Sequence, residues 1–398
     1  TYATGGGGLG GGHASSVHTM WTRTLDPKSP DFGYHDESVV ASSNGIEDCD
    51  AIDPSFCLAP DGKLWLTYGT YFGFIRVVEL DARTGKRVEG NQPVNIAIDC
   101  EATDMIYRDG WYYLLGTHGT CCSGSASTYN IRVGRSKSPT GPFVDNMNID
   151  MLKGGGKLVI AANNRLIGPG HFGLIDLGDD VQKFSCHYEA DLDRSGRSVL
   201  DIRTLLWKDG WPVAGEAFAG GTFEIESERS GYALELAVDA VPIGGRGGRG
   251  GFGRGGGGPV APIPLPTLAD ASKNWPAGNI DLRIGDYMLG AHQKWTITPV
   301  ANVGGYLGSP YFKIIITGTE RALAATADGE VVTVPSFAGK PEELWRIDQL
   351  IDGTYRIMPK AAPNSKEPVA LTAAGNSTPS LAKFDAKSPK GRWNLKAN

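Results

Sequence analysis

The 398-residue chain is long enough for two domains, because single hydrophobic cores rarely keep growing past about 250–300 residues. Its 40% hydrophobic and 21% charged residues are those of a globular protein, and a formal charge of −6 argues against nucleic acid or an anionic membrane as partner. No apolar run reaches the roughly 18 residues of a membrane-spanning helix.

The first residues, Thr1-Tyr2-Ala3-Thr4 followed by Gly5 to Gly8, are neither a start methionine nor a signal peptide, which suits processing or a chain whose beginning is absent. Short runs rich in β-branched and aromatic residues then alternate with Gly, Asp and Pro. Leu64–Tyr68, Phe74–Leu80 and residues 111–115, 131–133, 199–206 and 311–316 are examples, and they predict an all-β chain. Asp61-Gly62 precedes Leu64-Trp65-Leu66, and Asp109-Gly110 precedes Trp111-Tyr112-Tyr113 one interval later; Asp209-Gly210-Trp211 follows after about two more such intervals. A repeat of about 40–50 residues holding several short strands is the size of one propeller blade, although such turn dipeptides are common enough to recur by coincidence.

Two carboxylates follow the same interval. Asp53, in Asp50-Ala51-Ile52-Asp53-Pro54-Ser55, and Glu101, in Ile98-Asp99-Cys100-Glu101-Ala102, are separated as Asp61 is from Asp109. They are therefore expected at equivalent places on successive blades, converging at the mouth of the central channel. Paired carboxylates in a cleft are what glycosidic cleavage needs, one of them held protonated to donate to the leaving oxygen. Acidic residues at strand ends also serve simply as turn caps. The six cysteines, at 49, 57, 100, 121, 122 and 186, have no zinc-type spacing and permit either two or three disulfides or buried free thiols.

After about residue 221 a different repeat begins. Trp295, Trp345 and Trp393 recur at nearly equal intervals, each closing a unit that opens with an aromatic strand at Phe223, Phe312 or Tyr355. Three such units suit a threefold closed barrel, which leaves no exposed strand edge. Residues 244–258, a Gly/Arg-rich insertion, and the proline-rich stretch 259–266 lengthen the first unit. Arg-Gly-Gly tracts also occur in RNA-binding tails, but three arginines in an acidic protein are a poor footprint for RNA, and a surface loop is expected.

Taken together, DAIDPS, DGKLWLTYGTYFGFI, DCEATDMIY, GTCCSG, STYNIRVGRSKSPTGPF, GGG and GPGHFG, in this order, resemble glycoside hydrolase family 43, its endo-arabinanases above all, over about residues 15–215. The Trp-closed repeat resembles the ricin-type β-trefoil over residues 221–398. The resemblance implies a five-bladed β-propeller in residues 1–220, a trefoil in 221–398, and extracellular hydrolysis of α-L-arabinofuranosyl linkages, in arabinan or arabinoxylan, with inversion. It matches Glu101 to the general acid and Asp53 to the aspartate that tunes it, and places Asp50, Thr70, Tyr71 and Phe72 along the sugar cleft. It also implies a metal ion, usually calcium, on the propeller axis facing His171.

Two departures stand out. The family's general base belongs in a first blade, well over one period before Asp53, and the sequence from Thr1 to Asp53 is too short to hold it there. His35-Asp36-Glu37-Ser38 superficially resembles the base motif, but Asp36 lies less than half a blade before Asp53 and lacks the following proline. A first blade missing from this chain, or a separate N-terminal segment completing the propeller, is the expectation; a non-catalytic glycan-binding or surface-assembly role on a degenerate propeller is the alternative. In the trefoil-like units the early aspartate of sugar-binding relatives is replaced in Ala322-Leu323-Ala324-Ala325 and Val369-Ala370-Leu371-Thr372, and Glu235, in Ala233-Leu234-Glu235-Leu236, is the one carboxylate in a matching stretch.

Overall fold

The computed structural model describes residues 2–6, 14–44, 50–239, 266–306 and 308–397; the insertion 244–258, most of the proline-rich stretch and Cys49 lie outside them. The described chain is all-β apart from one short α-helix, Leu268–Ser272, and a few 3-10 turns. It divides into two compact units, Thr1–Asp176 with Lys183–Gly215, and Leu177–Gln182 with Glu216–Asn398.

In the first unit three antiparallel four-stranded meanders follow one another. The first runs Ser55–Leu58, Leu64–Tyr68, Phe74–Leu80 and Val94–Ile98. The second runs Glu101–Arg108, Trp111–His118, Asn130–Ser136 and Lys157–Ile160. The third runs Leu166–Asp176, Gln182–Asp191, Arg197–Lys208 and Trp211–Ala214. A three-stranded sheet of Tyr2–Gly6, Ala14–Trp21 and His35–Asn44 precedes them. Alternate side chains of each sheet point into the gap before the next, so the apolar clusters bridge successive sheets. Val17 and Val40 meet Leu66 and Val78; Ile75 and Ile96 meet Met105 and Leu114; Tyr113 and Val133 meet Phe184 and Leu205. The opening strands of the three meanders lie side by side. Radial stacking of four-stranded meanders with adjacent inner strands is propeller architecture.

The Asp-Gly signals hold locally but not all as a repeat. Asp109-Gly110 and Asp209-Gly210 close two-residue hairpins, with φ near 50° at each aspartate and above 70° at each glycine, as a type I′ turn demands. However, Asp61 and Asp109 join first to second strands of their sheets, whereas Asp209 joins the third to the fourth. The interval from Asp109 to Asp209 is thus not a multiple of the blade period.

The second unit is organised around a closed ring of seven strands in the order Gly221–Glu226, Tyr232–Leu236, Ile280–Asp286, Val331–Val334, Ala322–Ala325, Phe312–Ile316 and Trp295–Pro299, which pairs back to the first. The three tryptophans are fully buried and make the same bond at equivalent places. Trp295, Trp345 and Trp393 donate their indole N–H to the carbonyls of Leu234, Leu323 and Leu371 at 2.8, 3.0 and 2.9 Å. Gln293 and Glu343, each two residues before its tryptophan, accept backbone N–H bonds from the preceding turn. The third unit has Gly391 there, and the Phe384 ring packs against it instead. Glu235 is consumed by Arg283 and by Gln293, with His292 beside it, and is buried. It is therefore a structural carboxylate, which removes the one candidate for sugar binding in these stretches.

One ring joins the three opening strands. The Phe218 centroid lies 5.7 Å from Phe223, 5.1 Å from Phe312 and 5.5 Å from Tyr355. Replacing Phe218 with alanine would forfeit three aromatic contacts and leave a void at their meeting point. We expect a loss of about 2–3 kcal/mol, read as a lower denaturant midpoint with unchanged slope.

Candidate functional site

The backbone of the first unit is bent where the chemistry-bearing residues sit. Asp53, Asp99, Ala102 and His171 are non-glycine residues with φ of 51°, 56°, 47° and 56°. Such left-handed residues are costly and persist where their surroundings hold them. The pairing of Glu101–Arg108 with Trp111–His118 is irregular between Glu101 and Asp104, so the strand bulges directly after Glu101. A bulge re-aims a side chain. Here it brings the Ala102 N–H onto the Asp53 carboxylate, placing Asp53 beside the residue that follows Glu101.

Burial pushes the Glu101 carboxyl up to about 7, with the negative charges of Asp53 and Glu189 adding to the shift. Its Oε1 is buried without a hydrogen-bond partner among the described residues. Asp53 is also raised, by burial first, with His171 and the Ala102 N–H pulling the other way. Both carboxyls are thus raised, and of the two it is Asp53 that has groups beside it favouring its charge.

Around this pair the inner strands are cross-linked by Asp104, which accepts the Ser55 hydroxyl at 2.5 Å and the Leu174 N–H at 3.3 Å. Burial raises its carboxyl as well. The His171 N–H donates to Thr117 Oγ1 at 2.8 Å, and Thr117 is the ladder partner of Glu101. Gly170 makes this close approach possible, since a Cβ there would meet Thr117 Cγ2 and Tyr129 Cδ2 at 2.9 Å. Tyr71 senses the charges of both Glu101 and Glu189, and its ring lies 4.4 Å from that of the exposed Phe72. Thr70 and Asp50 are buried, and the Thr70 hydroxyl caps the Phe72 N–H at 3.2 Å.

The structure thus gathers Asp53, Glu101, His171 and Tyr71, with Phe72 at the rim. Reading the sequence missed Asp104, His187 and Glu189. Asp104 lies inside the DCEATDMIY stretch, three residues past Glu101. His187 and Glu189 carry no motif, but their i, i+2 spacing puts both on one face of the strand Gln182–Asp191. Asp36, set aside as a base, accepts the Trp21 indole N–H at 2.8 Å within its own sheet.

Among the described residues no three His, Cys, Asp or Glu side chains converge as a metal-binding set. Calcium takes six to eight oxygens, and the described side chains form no protein cage for it.

The state of Glu101 has a consequence for stability. Its carboxyl is raised from 4.5 to about 7, so the folded state holds that proton more firmly than the unfolded one. Its favourable contribution is complete below 4.5 and is lost as pH rises through about 7. Glu101→Gln, neutral at every pH, should lack this decline. Denaturant unfolding at pH 4 and pH 8 checks it: the variant should gain on the parent between the two.

A half-buried carboxyl raised to about 7 beside a second carboxyl, at the inner end of propeller strands, is an arrangement that suits a glycoside hydrolase. Residues 18–212 match the model of the glycosyl hydrolases family 43. The solved GH43 endo-arabinanase of Bacillus licheniformis is 31% identical, matching 52% of this chain and 69% of its own with a TM-score of 0.46. This segment of the chain is similar to that family. It is 34% identical over 186 residues to extracellular endo-alpha-(1->5)-L-arabinanase 1 of Bacillus subtilis, covering 45% of this chain and 55% of that protein. It is 30% identical over 224 residues to extracellular exo-alpha-(1->5)-L-arabinofuranosidase ArbA of Cellvibrio japonicus, covering 52% and 64%. The chain therefore spans somewhat more than half the length of these last two relatives.

Proposed function

We propose that the chain is part of an extracellular hydrolase that cleaves α-L-arabinofuranosyl linkages, in arabinan or arabinoxylan, with inversion. The observation that carries this is Glu101, half-buried, with an enclosed Oε1 that has no hydrogen-bond partner among the described residues and a carboxyl raised to about 7 beside Asp53. In this reading Glu101 gives its proton to the leaving glycosidic oxygen as the bond to the sugar breaks. Asp53 keeps that proton in place beforehand. A water attacks the opposite face, activated by a third carboxylate that none of the residues above supplies, about 6.5–9.5 Å from Glu101. Tyr71 and Phe72 offer ring faces to the sugar, with Asp50 and Thr70 behind them, and His171 is the side chain that a calcium ion held through water would face.

We assign residues 1–220 to a five-bladed propeller and residues 221–398 to a ricin-type β-trefoil. The threefold recurrence of the Trp-to-carbonyl bond supports the trefoil assignment. The test is reducing-sugar release from linear arabinan and from arabinoxylan by the purified native material, with anomer analysis of the products. Release of inverted product supports the proposal. No release from a natively folded sample would favour a glycan-binding or surface-assembly role.

A further inference from the structure

Glu189 lies near enough for its charge to act on Glu101, and both of its carboxylate oxygens are engaged. Oε1 accepts the Cys122 N–H at 2.6 Å, and Oε2 accepts the N–H groups of Ser123 and Gly124 at 2.8 and 2.9 Å. Three successive amides can face one anion because Cys122 and Gly124 both adopt left-handed φ, 60° and 52°, so that the turn curls into a concave cradle. Such cradles usually receive an external anion; here the chain fills its own. The partners are 65–67 residues apart in sequence, which ties the strand Gln182–Asp191 to the turn that follows Trp111–His118. That latter strand carries Thr117, the ladder partner of Glu101. A disulfide between Cys121 and Cys122 leads into the cradle. The Cβ of Glu189 also sits where a side chain at Gly168 would have to pass, at 3.3 Å, so the strand is held close on its other side too. Glu189 has no ion-pair partner among the described residues, whereas its charge acts on Glu101, Tyr71 and His187.

We propose that Glu189 is a positioning residue for the acid: clamped on the 122–124 amides, it fixes a negative charge at a set place beside Glu101 and seats the adjoining turn at the rim of the site. The inference rests on the reading of Glu101 as the proton donor. It assigns to Glu189 a task distinct from that of Asp53, because Asp53 is anchored through Ala102 on the strand of Glu101 itself.

The test uses the full chain with Glu189→Gln and Glu189→Asp. The glutamine keeps the size of the side chain and one acceptor oxygen but removes the charge; the aspartate keeps the charge on a shorter stem. Glu101 is titrated directly through its ¹³C-labelled carboxyl, identified by the signal missing in Glu101→Gln, and sugar release is followed against pH. In Glu189→Gln the Glu101 midpoint should fall from about 7 by about half a pH unit or more, with the alkaline limb of any activity moving the same way, and Glu189→Asp should restore most of it. A midpoint that stays put while only the unfolding midpoint drops would make Glu189 a mere structural clamp and overturn the proposal. If the parent releases no sugar yet the midpoint still falls in the glutamine variant, the hydrolase reading fails and the coupling survives.

Discussion

Glu101→Gln should lower arabinan cleavage by about 10²–10⁴-fold, the usual worth of a positioned general acid, while leaving binding of arabino-oligosaccharides within a few-fold of the parent. The reason lies in what the amide keeps and what it loses. It preserves the shape and neutrality of a carboxyl that burial already holds up to about 7. It cannot surrender a proton to the leaving oxygen. Binding and cleavage should therefore separate, with kcat falling and KM nearly constant. Substrates with a good leaving group, such as an aryl arabinofuranoside, need less protonation and should lose much less. Equal loss on both substrates would mean that Glu101 acts in binding or folding rather than as the acid.

The second large effect is expected in the other unit. Trp345→Ala should cost about 3–5 kcal/mol, enough to unfold a unit of ordinary stability or leave it marginal. Trp345 is fully buried, its neighbours across the ladders are Phe312 and Pro359, and its indole N–H binds the Leu323 carbonyl at 3.0 Å. Trp345→Phe separates the two contributions. It keeps much of the packing but strands that carbonyl, so about 1–3 kcal/mol should remain lost. Denaturant unfolding followed by tryptophan fluorescence and by near-ultraviolet dichroism measures both. A near-neutral Trp345→Phe would show that the bond contributes little and that volume alone holds the barrel.

These two residues also show which parts of the molecule could be read from sequence. Tryptophans at nearly equal intervals are a long-range signal carried by a local pattern, and the same closing bond recurs at each. Asp53 and Glu101 were legible because each lies at the start of an inner strand, so the blade period places them near each other. The third Asp-Gly turn misled, because a two-residue hairpin can close any strand pair and its sequence carries no address within the sheet. Glu189 was silent for the opposite reason. Its partners are main-chain amides, which every residue possesses, and nothing in Tyr188-Glu189-Ala190 points to a turn so far back along the chain. The segment Leu177–Gln182 was likewise hidden: it falls in the middle of the first unit's sequence, yet Val181 packs with Leu350, Met358 and Phe384, and Asp180 pairs with Arg392.

Cys57, Cys100 and Cys186 are all buried and unpaired, and burial pushes each thiol up to about 12. All six cysteines precede residue 187, whereas four of the nine tryptophans lie beyond residue 270. In a Cys49→Ser background an alkylating reagent would therefore find no thiolate until the meanders part, since only the thiolate attacks. The rate of capture becomes a clock for the opening of one half of the chain. It runs blind to the other half, whose indoles report in their own right.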